Sequence, residues 1–191
     1  MRIELGTNEE VEKLYTKFKK FNTHLLEEPR IVFPYIGIMD VYNRVLTEQE
    51  ARDLLGYEQH HLKYGSRFLC ALTQIYRTDN ELFVHFNKKG LSKEQFKFIL
   101  GSLNRMEASI FRKMFAINKG IYKIGDEEAL KFLVNLSVEE LYFSNFFFPS
   151  LDTVFIGNYD LCFPVYSKSK EGFEKCREII ERNELFIREL S

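Results

Sequence analysis

From Asn8 the apolar residues Val11, Leu14, Tyr15, Phe18, Phe21 and Leu25 recur at helical spacing with lysines and glutamates between them. That spacing predicts an amphipathic helix over about 8–27. Thr7 and Glu10 stand three apart at its start, the spacing of a capping box in which hydroxyl and carboxylate each satisfy a free backbone donor, and Pro29 closes it. The same punctuation recurs along the chain. Thr47 with Glu50 opens a short helix that Gly56 closes, and a longer helix follows over about 58–76. Ser92 with Gln95 opens a helix that Gly101 interrupts before a further segment over about 104–117. In this section Phe96, Phe98, Ile99, Leu103, Ile110, Phe111, Met114 and Phe115 read as core. Asp126–Leu136 is another helix, and Ser137 with Glu140 predicts one or two helical turns in "VEELYFSNFF", stopped before Pro149. The stretch 169–189 reads as a closing amphipathic helix with Phe173, Cys176, Ile179, Ile180, Phe186 and Ile187 on its apolar side.

Strand signals are fewer. "RIVFPYIGIMDVY" is rich in β-branched and aromatic residues, and its Pro34 and Gly37 point to an edge strand or a bent pair. Glu81–Phe86 and "GIYKIGD" are short strand candidates. Gly157 and Asn158 separate two β-rich runs, Thr153–Ile156 and Leu161–Tyr166, which predicts a hairpin over about 153–166 with its second strand at an edge or bulge because of Pro164. The expected fold is α+β: a single helix-rich domain over 1–191, a small and mostly antiparallel sheet, the hairpin, and the closing C-terminal helix. An internal subdivision, if present, falls near 118–125. No repeat or linker divides the chain.

The aromatic content stands out, with 19 Phe, 10 Tyr and no Trp. Phe146, Phe147 and Phe148 are consecutive ahead of Pro149 and cannot all point one way, so at least one is expected near the surface. A net charge of −1 argues against a surface built throughout to hold nucleic acid or anionic lipid. Three cysteines without a C-x-x-C pair exclude a complete disulfide framework and point to reduced thiols and a cytoplasmic location. No secretory leader and no run of about 18 uncharged apolar residues is present, so neither export by that route nor a membrane role is expected.

Candidate chemistry is sparse. His60 and His61 are adjacent, and on a helix adjacent side chains diverge by about 100°, which suits them poorly to hold one ion together. His24 and His85 stand alone, and Cys70 and Cys162 lie in apolar runs where cysteine behaves as a small hydrophobe. Nucleophile-elbow and phosphate-loop motifs are absent, no cofactor is implied, and an enzyme is not favoured. Asp126, Glu127 and Glu128 suit a helix N-terminus by opposing its dipole. Charge is segregated: residues 87–119 hold eight Lys or Arg against Glu94 and Glu107, whereas 120–160 hold two Lys against seven acidic residues.

These features favour a non-enzymatic protein-binding module, of the inhibitor, immunity or adaptor type. Its expected surface comprises Asp126, Glu127, Glu128, Glu139 and Glu140 beside Phe146, Phe147 and Phe148, with Lys88, Lys89, Arg112 and Lys113 as the basic counterpart. Two alternatives remain open at this level. One is a small-molecule binder or enzyme with a dispersed site drawn from His24, His60, His61, His85, tyrosines and carboxylates. The other is a helix-turn-helix-like nucleic-acid binder using the basic 87–119 section.

Overall fold

The computed structural model describes residues 1–18, 29–54, 57–86, 91–117 and 120–189. Eight strands form one sheet: β1 (Ile3–Leu5), β2 (Tyr35–Asp40), β3 (Phe83–Phe86), β4 (Gly120–Ile124), β5 (Asn145–Phe148), β6 (Thr153–Ile156), β7 (Phe163–Ser167) and β8 (Phe186–Glu189). Among the described residues seven α-helices accompany it: α1 (Asn8–Lys17), α2 (Glu48–Leu54), α3 (Tyr57–Asp79), α4 (Lys93–Ser102), α5 (Arg105–Ala116), α6 (Glu127–Val138) and α7 (Lys170–Arg182). The strand order is β1-β4-β3-β5-β6-β7-β2-β8. Every neighbouring pair is antiparallel, as in the registers Phe83↔Phe147, Phe146↔Phe155 and Gly37↔Val165. The class is α+β. The sheet is larger than the strand signals implied.

Alternation along the strands explains how the aromatics are used. Successive side chains point to opposite faces, so Phe146 and Phe148 join one core with Phe155 and Val165, while Phe147 joins a second with Phe83 and Val154. The first core is roofed by α3, α4, α5, α6 and α7 through residues such as Phe68, Ile99, Phe111, Leu133 and Phe173. The second is covered by Leu14 and Phe18 at the end of α1, together with Val32 and Phe33. The triplet is therefore filled from both sides: Phe146, Phe147 and Phe148 are 0%, 1% and 0% exposed. The expected surface position for one of them is corrected, because these residues form a strand with a core on each face.

Four further expectations change. Ser137 does not cap a helix; it lies in the last turn of α6, where its hydroxyl accepts from Ser144 N–H and donates to the Tyr142 carbonyl. The closing helix stops at Arg182, and Phe186 and Ile187 belong to β8, paired with β2. β2 is thus interior rather than an edge, since Pro34 precedes the strand and Gly37 sits within it. β7 is interior too: its ladder with β6 ends at Val165, so Pro164, which lacks a donor, lies beyond that ladder. The hairpin of β6 and β7 exists, but its connection is longer than the Gly157-Asn158 turn and carries a 3-10 turn at Tyr159–Leu161. The second half of the first predicted helix and Gly56 lie outside the described residues.

Candidate functional site: the α4–α5 hairpin

Two capping boxes fix this hairpin. Gln95 N–H donates to Ser92 Oγ at 3.1 Å while Ser92 N–H donates to Gln95 Oε1 at 2.8 Å. Glu107 N–H donates to Asn104 Oδ1 at 3.0 Å while Asn104 N–H donates to Glu107 Oε2 at 3.1 Å. Only Leu103 and Asn104 separate the helices. Their inner faces meet through aromatic rings: Phe96 lies 4.4 Å from Phe115 and 5.8 Å from Phe111, and Phe111 lies 5.4 Å from Phe86 on the sheet. The Tyr122 hydroxyl donates to the Met114 carbonyl at 3.0 Å, tying α5 to β4.

The outer face carries Lys93, Glu94, Lys97, Phe98 and Gly101 on α4 and Arg105, Met106, Ser109, Arg112 and Lys113 on α5, all exposed. Phe98 is 69% exposed and Met106 56%. Placing Phe98 in the core is corrected: α4 buries Ile99, with Phe96 and Leu100 partly buried beside it, and Phe98 turns about 100° away from Ile99.

None of Lys93, Lys97, Arg105, Arg112 and Lys113 has a carboxylate at ion-pair distance among the described residues. The rest of the surface behaves differently. Lys17 meets Asp152 at 2.9 Å, Arg44 meets Glu50 at 2.6 Å, Arg67 meets Glu184 at 2.8 Å, Arg77 meets Glu127 at 2.6 Å and Lys123 meets Glu10 at 2.7 Å. Among the described residues, exposed cations without such a partner elsewhere are scattered, with Arg2 before β1, Lys63 on α3, Lys131 on α6 and Lys170 on α7. Among the described residues, exposed cations without an ion-pair partner are therefore most numerous on this hairpin. Lys88 and Lys89 lie outside the described residues.

The expected acidic surface does not assemble. Asp126 caps α6, accepting from Ala129 N–H at 2.8 Å; Glu127 pairs with Arg77, and Glu128 accepts from the Met1 ammonium at 3.1 Å. Glu139 and Glu140 lie past the other end of a twelve-residue helix, roughly 18 Å away at 1.5 Å per residue. Glu140 accepts from Asp160 N–H at 2.7 Å and lies 3.1 Å from His61 Nε2, which holds the 159–161 turn where Asp160 and Leu161 take positive φ.

The histidines separate as their spacing implies. His61 faces Glu140, whereas His60 is 2% exposed, stacked 6.0 Å from Tyr42 and edge-on 5.1 Å from Tyr64, with neither ring nitrogen hydrogen-bonded. Burial, and then the charge of His61, push the His60 pKa down, against the opposing influence of Asp40 and Asp160. The unfolded chain then binds more protons below about pH 6.5, so this contribution to stability is complete above that pH and is lost as pH falls toward the lowered value. In thermal denaturation between pH 7.5 and 5.0, His60→Phe is expected to lose less stability on acidification than wild type. Parallel curves for the two proteins would rule this out.

His85 lies on β3 opposite Ile121 and Asn145, and His24 is outside the described residues. The Cys162 thiol donates to Asp40 Oδ2, and burial with that carboxylate pushes it up to about 12, which opposes a thiolate nucleophile. Asp40 is also bonded by Arg188 Nε at 3.0 Å, linking β2 and β8. Among the described residues no cluster of three His, Cys, Asp or Glu side chains is placed to hold a metal ion, and no helix is long and apolar enough to cross a membrane. Surface depressions of about 330, 300 and 420 Å³ lie beside Arg30 and Phe173, beside Leu14 and Phe83, and beside Tyr76 and Lys123. None of these three is lined by a histidine. Comparison with protein-family models, curated proteins and solved structures finds no match.

Proposed function

We propose that this chain is a non-catalytic binding module that engages another protein through the outer face of α4 and α5, in the manner of an inhibitor, immunity-type protein or adaptor. The observation that carries this reading is the set of five cations, without ion-pair partners among the described residues, around two exposed apolar side chains on that hairpin. Interface centres are rich in aromatic, Met and Arg side chains, and a charged rim steers the encounter. Helix, short turn and helix also invite a nucleic-acid reading, with Arg105, Arg112 and Lys113 directed outward on α5. Glu94 disfavours it, because it shares the outer side of α4 with Phe98 at i, i+4 and would face phosphate.

The test compares affinity capture, from lysate of the organism that encodes the chain, by wild type, by Lys97→Glu/Arg112→Glu and by a control, Lys131→Glu/Lys170→Glu. Wild type and control are expected to retain the same stoichiometric protein, and the hairpin variant to lose at least tenfold of it. Equal retention by all three, or release of the bound material by nuclease, overturns the proposal.

A further inference from the structure

Gly101 has no packing reason to be a glycine. It lies inside α4, one residue before the helix ends at Ser102, with helical backbone and an exposed surface. A Cβ built there meets nothing within 4 Å. Gly inside a helix weakens it relative to Ala, and its usual compensation is a turn, a positive φ or a close approach of another group to the backbone. The first two are absent at this position, and no part of the described chain supplies the third. Gly101 also shares the outer side of α4 with Phe98 and Lys97, three and four residues before it. The missing side chain of Gly101 leaves a notch in the row of side chains on the outer side of α4, one turn after the exposed Phe98; exposed Met106 follows across the turn, and Lys97 and Arg105 stand nearby in sequence on the two helices.

From this arrangement we infer that the partner is an acidic polypeptide segment whose apolar side chain seats in the notch over Gly101 against Phe98, with its carboxylates meeting the cations of α4 and α5. This rests on the hairpin being the contact face and adds what fills it. Charge complementarity selects the occupant, since five cations here lack counter-charges among the described residues. A polypeptide fits better than a phosphate backbone because the apolar element is a wall and a gap rather than a flat stacking platform. Glu94 beside Phe98 is tolerated by a segment that carries both charge and apolar groups. Such a segment reads as an amphipathic helix or strand laid along the hairpin.

The experiment places the photo-reactive residue benzoylphenylalanine at position 106, leaving Phe98 and Gly101 intact, and measures adduct yield in lysate of the encoding organism. Gly101→Ala and Gly101→Gln are added in turn. Expected is an adduct to a protein that falls in graded fashion, at least tenfold for Gln, while the unfolding midpoint does not fall. A synthetic helical peptide of leucines and glutamates is expected to compete. A single-stranded oligodeoxynucleotide of equal charge and vesicles of phosphatidylglycerol are expected not to. If Gly101→Gln changes the yield by less than twofold while Lys97→Glu/Arg112→Glu abolishes it, the notch is wrong and the contact face stands. If neither change alters the yield, or no adduct forms, the contact face falls as well. Competition by the oligonucleotide or the vesicles but not by the peptide overturns the partner class.

Discussion

Replacing Gly172 by alanine is expected to lower the unfolding free energy by about 2–3 kcal/mol, the upper part of the range for forcing atoms into a packed interior. The added methyl would lie 1.9 Å from the carbonyl oxygen of Leu151 and 2.8 Å from its carbon, so backbone must move. That backbone is held from several sides. Leu151 N–H donates to the buried Asp79 carboxylate at 2.8 Å, and the Leu151 carbonyl accepts from Thr153 Oγ1 at 2.8 Å. Retreat of the β5–β6 turn would break bonds to α3 and within β6, and retreat of α7 would open the core around Phe173. Gly101→Ala is the internal contrast, because with open space and helical backbone it is expected to gain roughly 0.4–1 kcal/mol. Urea unfolding of the three proteins measures both signs. A loss below 0.5 kcal/mol at position 172 would show that the turn relaxes freely.

Phe147→Ala is expected to cost about 3–5 kcal/mol, as for other fully buried Phe truncations. It differs from Phe146→Ala in where the damage spreads. Phe147 meets Phe18 edge-on at 5.3 Å, and Phe18 is the C-cap residue of α1, whereas Phe146 faces the core roofed by α3, α6 and α7. Hydrogen exchange should therefore quicken in α1 for Phe147→Ala at a protein concentration and pH where Phe146→Ala leaves α1 protected up to its global limit. Equal exchange of α1 in both variants, once corrected for global stability, would mean that the two faces of the sheet open as one unit.

The capping pairs were the most legible signals in the chain. Thr7 with Glu10, Thr47 with Glu50 and Ser92 with Gln95 form reciprocal bonds at the helix starts where their spacing placed them. Ser137 with Glu140 has the same spacing and the opposite context, because a cap motif describes only local geometry and here the chain has just finished a helix. The helical turns expected in "VEELYFSNFF" give way to β5 for a related reason. Three buried phenylalanines carry no period of two when both faces of the sheet are covered, so the alternation that marks half-exposed strands is missing. Phe186 and Ile187 fell on the apolar side of the preceding helix pattern, and only their pairing with β2 makes them a strand. The surface of interest was half legible. The excess of Lys and Arg over 87–119 was visible in the sequence, but the absence of partners for those charges depends on which carboxylates the fold brings near.

The position of β2 in the strand order also sets a timetable for synthesis. Tyr35–Asp40 leaves the ribosome well before both neighbours it pairs with, β7 from Phe163 and β8 from Phe186. At 5–20 residues per second the interval from Asp40 to Glu189 is roughly 7–30 s. During that time "YIGIMD" is an apolar strand with two unsatisfied edges, the kind of segment that nascent-chain chaperones hold. The nascent chain can assemble α3, β3, β4 and α6 in sequence, but its sheet closes only after β7 and β8 emerge. The sheet is therefore completed only after Phe186–Glu189 has been made.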